Sequence, residues 1–551
     1  MIKNRFSLKK NLIYLIFLFG IVHWFFFWYS SDYYSYNDIK PKSSFELDDN
    51  QIKSYNFESL KNKDFNFKGD KDLIKQIVNE KKLKIKKLFT FSEFTSHDWY
   101  KEHSYQNVLS YSLKNKIIPF HVPNFDEIFI GDERFFSNPI YTLSPQILLL
   151  KFFDSNVFSI LNLFFMFSLG FIGCLLIKRE YKLNIQSFIF LFILFNFNGY
   201  FITKYSNYGA SQLGYFLLPF IFYYLMNICI HFNDNNRKNY NSILLGLFLS
   251  LILLQGSVHL YVEVITFLLF WSIFNFKLWK ASFIIYLVNF TTSSFRLLPA
   301  LLSHGLHANP HTLPDQIVNH GGGYGTFEIF VKSLVTLNGS LDYPPAWNEF
   351  SMYVSLTGVL LIFLFCFFIY FVDDKKNYFQ IWKYFLIPII LIIIISFHKL
   401  KFIILPNWIP FFNVESITSR YIIIPFVFLF ILSSINLNLF IKFNKNKKTA
   451  MIFINSLILV SFFSLMNYSR IWRNNLVISE HNWRISLQKD GSNYLYEFQP
   501  IYNLIIQNNY DDKIYIYLVI ISLFFSIFAY SYFLFKLYSF NKIIKLYNSK
   551  D

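Results

Sequence analysis

The stretch NLIYLIFLFGIVHWFFFWY (11–29) holds no Asp, Glu, Lys or Arg and follows a basic start made by Lys3, Arg5, Lys9 and Lys10. That layout is shared by secretory leaders and by membrane anchors. Here the apolar stretch is too long for a leader, no small-residue cleavage site follows, and WFFFWY (24–29) forms an aromatic belt suited to a lipid interface. The stretch therefore reads as a retained transmembrane helix.

The composition extends that reading to the whole chain. Apolar residues make up 54% and aromatic ones 22%, while charged residues reach only 15%, against roughly 25% in a soluble domain. Apolar runs of about 18 to 23 residues recur, each long enough to cross ~30 Å of hydrocarbon as a helix that satisfies its own backbone hydrogen bonds. The formal charge of +17 does not point to nucleic acid: Lys and Arg are spread along the chain and flank the apolar runs, where they act as topology signals. Cys174, Cys229 and Cys366 all fall inside apolar runs, so neither a disulfide framework nor a zinc spacing is present.

After the first run, further spans are expected near 156–177, 185–203, 210–231, 241–257, 259–276, 279–300, 353–372, 381–397, 420–441, 449–467 and 514–536. The fold class is thus an all-α polytopic integral membrane protein with about twelve transmembrane helices. The pair 241–276 is the tightest reading, because GSVH (256–259) leaves little room for a turn. Alternate short connections carry Lys178, Arg179 and Lys182, then Arg237 and Lys238, Lys277 and Lys280, Lys375 and Lys376, Lys442 to Lys448, and Lys536 to Lys545. Those connections belong in the cytoplasm by the positive-inside rule, which puts both termini there and places the protein in the inner (plasma) membrane.

The domain reading follows: 1–29 as cytoplasmic start and first span, 30–155 as a large extracytoplasmic loop, and 156–300 as spans two to seven. Next come 301–352 as a second outer loop, 353–467 as spans eight to eleven, 468–513 as a third outer loop, and 514–551 as the last span and tail. Within the first loop, Pro139 and Pro145 precede an apolar run too short to span, which reads as an interfacial helix.

Soluble-enzyme signatures are missing: there is no Walker A loop, no G-x-S-x-G elbow and no H-E-x-x-H. Candidate groups lie instead at the outer ends of spans. Asp98, in TSHDWYKEHS (95–104), stands beside Trp99, where desolvation would raise its pKa and fit it to deprotonate a hydroxyl; the plainer reading is a solvated loop aspartate. Asp132 and Glu133 form a second acidic pair, suited to a metal or to substrate positioning. Arg296 and Arg420 sit close to the hydrocarbon, where a charge must be paired, snorkel or bind an anion, and a guanidinium fork suits phosphate. Glu415 is the pairing partner this reading offers Arg420, and Glu349 reads as an interface anchor. His304, His307 and His311 resemble a metal cluster, but Pro310 breaks the helix that would align them, so an irregular loop is the simpler reading.

Short motifs then combine. Asp98, IIP (117–119), Gly131, NPIY (138–141), Ser144 with Pro145, NGY (198–200), Gln255 with Gly256, RLLPA (296–300), EFSMYVSLTG (349–358) and SRY (419–421) together resemble the GT-C class of polyprenyl-phosphate-dependent glycosyltransferases, and within it the bacterial YfhO-like membrane proteins. The resemblance implies a GT-C-like fold and transfer of a sugar from a polyprenyl-phosphate carrier in the bilayer to an extracytoplasmic glycan, lipid or protein. It implies Asp98 as base, Arg296 and Arg420 on the leaving phosphate, and a divalent cation, Mg or Mn, as the conceivable cofactor. In that class the acid follows the first span closely, which makes Asp32 and Asp38 rivals of Asp98 and leaves metal dependence open. A transporter or flippase of lipid-linked sugars, with Glu263 as its intramembrane acid, and a polysaccharide polymerase or ligase are the other readings of the same topology.

Overall fold

The computed structural model describes residues 11–27, 98–122, 134–304, 323–337, 347–368, 375–397, 417–443, 448–489 and 512–548. Among these residues every extended element is helical, and the sole β pairing is an isolated bridge between His121 and Arg134. In chain order the helices are α1 (Asn11–Phe27), α2 (Asp98–Asn115), α3 (Ser155–Glu180), α4 (Ile185–Phe197), α5 (Gly199–Tyr208), α6 (Leu218–Ile230), α7 (Asn235–Leu254) and α8 (Val258–Phe274). They continue as α9 (Trp279–Thr292), α10 (Ser294–His304), α11 (Phe327–Val335), α12 (Trp347–Phe350), α13 (Leu356–Phe368), α14 (Lys375–Ile395), α15 (Ile423–Phe443), α16 (Lys448–Lys489) and α17 (Lys513–Asn548).

Among the described residues six helical stretches are long and apolar enough to cross a membrane: Ser155–Glu180, Ile185–Ser206, Gly209–Ile230, Thr418–Phe443, Lys448–Arg473 and Lys513–Asn541. A seventh crossing arises if α8 and α9, bent by 106° at their junction, count as one. The apolar helices at Asn11–Phe27, Ser294–Ser303, Leu356–Cys366 and Trp382–Ile395 are shorter. The protein is therefore an all-α membrane protein, with its count of crossings resting on these shorter helices.

Burial divides the bundle into a centre and a rim. Within Thr418–Phe443, 94% of the apolar window is enclosed by protein, against 22% for Lys448–Arg473 and for Lys513–Asn541. The central helices are apolar all round because they face other helices on every side, whereas the rim helices show lipid a face of Phe463, Ile521, Phe524 and Phe528. The core is rich in aromatic rings: Phe167 meets Phe17, Phe192 and Phe216, while Phe201 meets Tyr215, Phe216 and Trp24.

Helix boundaries follow from caps. Asp154 accepts a hydrogen bond from Val157 N at 2.8 Å to open α3, Asn184 accepts from Ser187 N at 2.8 Å to open α4, and Asp234 accepts from Asn236 N and Arg237 N to open α7. Asn198 does two jobs. Its Nδ2 donates to Leu194 O and Phe195 O, closing α4, while its Oδ1 accepts from Phe201 N, opening α5. The NGY motif is thus a helix break.

The tight GSVH turn does form, through Gly256 at φ +83°. A Cβ there would lie 2.4 Å from Ile140 O, so the turn needs glycine both for its dihedral and for its contact with the first loop. Gly256→Ala is expected to lower the melting temperature of the purified protein by an amount equivalent to about 1–3 kcal/mol, whereas an unchanged melting curve would show that the turn relaxes freely.

Three expectations are corrected. The 279–300 stretch is not one helix but breaks at Ser293 into α9 and α10. Helix α16 does not stop at 467 but continues to Lys489, since no Gly or Pro interrupts 468–489. The 185–203 stretch likewise divides at Asn198 into α4 and α5, whereas the short helix expected after Pro145 does form, as the 3-10 helix Pro145–Lys151 with Leu148 and Phe152 exposed.

Candidate functional site

The two ends of the bundle differ in chemistry. At one end Asn438 ties α15 to the α3–α4 connection, accepting from Asn184 N at 2.9 Å, near the terminal basic residues Lys178, Arg179 and Lys442. At the other end the short polar motifs gather, in two clusters bridged by α2.

The first cluster joins α5, α12 and the segment Thr418–Ile422 that leads into α15. Glu349 accepts Arg420 in a fork, from Nε at 2.9 Å and from Nη2 at 2.7 Å, and also accepts the ammonium of Lys204. Its backbone carbonyl receives Lys204 Nζ at 3.3 Å and Ser419 Oγ at 2.9 Å. All three charged side chains are buried. Burial alone would raise the Glu349 carboxyl, but Arg420 and Lys204 outweigh it and hold the group well below the usual carboxylate range. Gly199 lets the α5 backbone approach, donating to Tyr353 O at 2.7 Å where a Cβ would lie 2.6 Å from Tyr353 N. NGY, EFSMYVSLTG and SRY thus converge on one ion cluster.

The second cluster joins the first loop to α7 and α10. Arg296 Nη2 donates to Tyr141 O at 2.6 Å, and Leu143 N donates to Leu254 O at 2.8 Å. Gln146 Nε2 reaches Gln255 Oε1 at 2.6 Å and Asn162 Oδ1 at 3.0 Å, and Ser144 Oγ meets Gln255 Oε1 at 3.2 Å. NPIY, Ser144 with Pro145, Gln255 with Gly256 and RLLPA form this group.

Helix α2 spans both. At its start Trp99 donates from Nε1 to Ser206 O at 2.9 Å and packs edge-on against Tyr205, on the helix that carries Lys204. Two turns later Tyr105 is stacked between Phe135, at 4.2 Å, and Tyr141, at 4.3 Å. Gln106 bonds Glu102 at 2.9 Å and Ser159 at 3.2 Å, while Ser110 bonds Leu150 O at 2.8 Å, so one face of α2 is locked onto the bundle.

Asp98 is the first residue of α2. Asp32, Asp38, Asp132 and Glu133 lie outside the described residues, as do Glu415, His307 and His311. Arg420 finds its partner in Glu349, which therefore sits in a buried ion cluster instead of anchoring at an interface. Arg296 and Arg420, grouped in the sequence reading, belong to different clusters. Among the described residues no group of three or more His, Cys, Asp or Glu is placed to hold a metal ion. Sequence reasoning missed Lys204 as a member of the cluster. The signal was there: a lone lysine closing an otherwise apolar run calls for a buried partner.

A further contact ties the first loop to the last helix. Asp512 accepts from Arg134 Nε at 2.7 Å and Nη2 at 3.3 Å and meets His121 Nε2 at 3.2 Å, and the Arg134 guanidinium lies over the Tyr515 ring. Partial burial would raise the Asp512 carboxyl, but its hydrogen bonds from Arg134 and His121, with their charges, hold it below its ordinary 3.8. A depressed folded value means that this contribution to stability is complete above the unfolded pKa and is lost as pH falls through the folded one. The melting temperature of Asp512→Asn is thus expected to lie below wild type at neutral pH, with the gap closing in acid; a gap independent of pH would remove the carboxylate from the account.

Comparison with family models, with curated proteins and with solved structures finds no match.

Proposed function

We propose that the protein is a GT-C-like membrane glycosyltransferase that moves a sugar from a polyprenyl-phosphate carrier to an extracytoplasmic acceptor. In this reading the chain crosses about twelve times with both termini in the cytoplasm, and the motif-bearing end of the bundle faces outward. One observation carries it: α2, which opens at Asp98, is pinned by Trp99 to the helix of Lys204, whose ammonium shares Glu349 with Arg420. A carboxylate and two buried cations thereby belong to neighbouring elements at one end of the bundle.

Asp98 takes the proton of the acceptor hydroxyl, the acceptor oxygen attacks the anomeric carbon, and the bond from that carbon to the carrier phosphate breaks with its electron pair leaving on phosphate oxygen. Arg420 and Lys204, fixed in advance by Glu349, stabilise the charge that grows on the leaving phosphate. Should a divalent cation take part, Asp132 and Glu133 are the acids in the first loop that would hold it.

The decisive comparison is between cells with and without the chain, reading surface glycans and lipid-linked sugars. The reading expects loss of a glycan with build-up of its lipid-linked precursor on the outer leaflet. Accumulation on the inner leaflet instead favours a flippase, for which fully buried Glu263 in α8 is the residue to alter.

A further inference from the structure

Two apolar stripes reach the surface at the end of the bundle that carries Lys178, Arg179 and Lys442. On α9, Trp279, Phe283, Leu287 and Phe290 recur at helical spacing and are all exposed; on α14, Leu386, Ile387 and Ile390 are exposed on one stripe with exposed Lys383 at its head. The heads of the two stripes are held together. Asn275, which closes α8, donates from Nδ2 to Trp271 O at 2.7 Å and to Tyr384 O at 2.9 Å, so the corner at which α8 and α9 bend by 106° is fastened to α14.

Three cations gather at that corner: Lys277 and Lys280 on its exposed edge, and Lys383 across the Asn275 contact. Among the described residues none of them is paired with a carboxylate, and the flanking sequence supplies none, with no Asp or Glu between Glu263 and Asp315 or between Asp374 and Glu415. Asp234, which opens α7, is taken by Arg237 at 3.2 Å. The ammonium groups lean on rings instead, Lys280 on Trp279 at 5.7 Å and Lys383 on Tyr384 at 5.0 Å. Trp and Tyr belong at the headgroup level of a bilayer. A cation that heads a lipid-facing stripe is unfavourable unless its charge reaches headgroup oxygens, and a cluster of such cations favours a headgroup with net negative charge.

We infer that this corner docks an anionic phospholipid, whose acyl chains lie along the α9 and α14 stripes and whose headgroup phosphate sits among Lys277, Lys280 and Lys383. Phe274 and Phe276, both exposed at the corner itself, carry the apolar surface up to the cations. A zwitterionic headgroup fits less well, because its own ammonium would meet the three lysines. The face is remote from the two polar clusters: α8 starts beside Gln255 and runs about 25 Å before Asn275 closes it. Lipid binding there can be read without any sugar donor, so it stands or falls apart from the proposed glycosyl transfer.

The test is native mass spectrometry of the full chain in detergent, titrated with phosphatidylglycerol or with phosphatidylcholine of the same acyl chains. Wild type is expected to bind a first phosphatidylglycerol more tightly than phosphatidylcholine. Each of Lys277→Gln, Lys280→Gln and Lys383→Gln is expected to weaken phosphatidylglycerol by about fivefold while leaving phosphatidylcholine unchanged, and the triple variant to lose the preference between the two lipids. Arg237→Gln, which removes a cation already paired with Asp234, is expected to keep that preference. Because all three lysines are exposed, the variants should melt with wild type, which separates lost binding from lost folding. Equal affinity of wild type for the two lipids overturns the site, as does a triple variant with the wild-type preference. A lysine-dependent pair of chains in one micelle, with no lipid retained, gives the face to a second copy and overturns it equally.

Discussion

Glu349→Ala is expected to destabilise the protein by about 3–5 kcal/mol, because it leaves two cations buried without their shared carboxylate. Glu349 joins three separated parts of the chain through charge, pairing with both Lys204 and Arg420. The free energy at stake is less the attraction itself than the cost of stranding Lys204 and Arg420 away from water. Glu349→Gln retains shape and one acceptor oxygen and should fall between alanine and wild type. Pairing Glu349→Ala with Lys204→Met should recover part of the loss, since one stranded charge is removed; the coupling is read from melting temperatures of the two single variants and the double variant. Additive losses would mean that the lysine and the glutamate do not act on each other.

Asp98→Asn is expected to reduce sugar transfer by about 10²–10⁴-fold, the usual worth of a general base, with the melting temperature unchanged. Surface glycan and lipid-linked precursor in complemented cells provide the readout. Full transfer in Asp98→Asn, with loss in Asp32→Asn or Asp38→Asn, would assign the base to the earlier acid. Comparing this variant with Arg420→Lys separates two roles. Lysine keeps the charge but loses the fork onto Glu349, so that variant should lose stability as well as turnover.

Much of this architecture is legible along the chain, because a bilayer imposes a length and a polarity on each helix independently of its neighbours. The stretch 11–29 was legible as an apolar helix and appears as Asn11–Phe27, and the helices expected near 156–177, 210–231 and 420–441 appear as Ser155–Glu180, Gly209–Ile230 and Thr418–Phe443. Gly256 was visible as punctuation, since a glycine that turns acts locally, whereas the break at Asn198 falls inside the single span expected over 185–203.

What the sequence could not settle was pairing. Glu415 stands five residues from Arg420 and is the obvious partner on paper, yet the fork closes on Glu349, 71 residues away. Likewise Arg134 finds Asp512, at a separation of 378 residues. Hydrophobic length is a property of one segment and can be read from it; the partner of a buried charge is chosen by which helix ends the folded bundle brings together, and only the tertiary structure contains that choice.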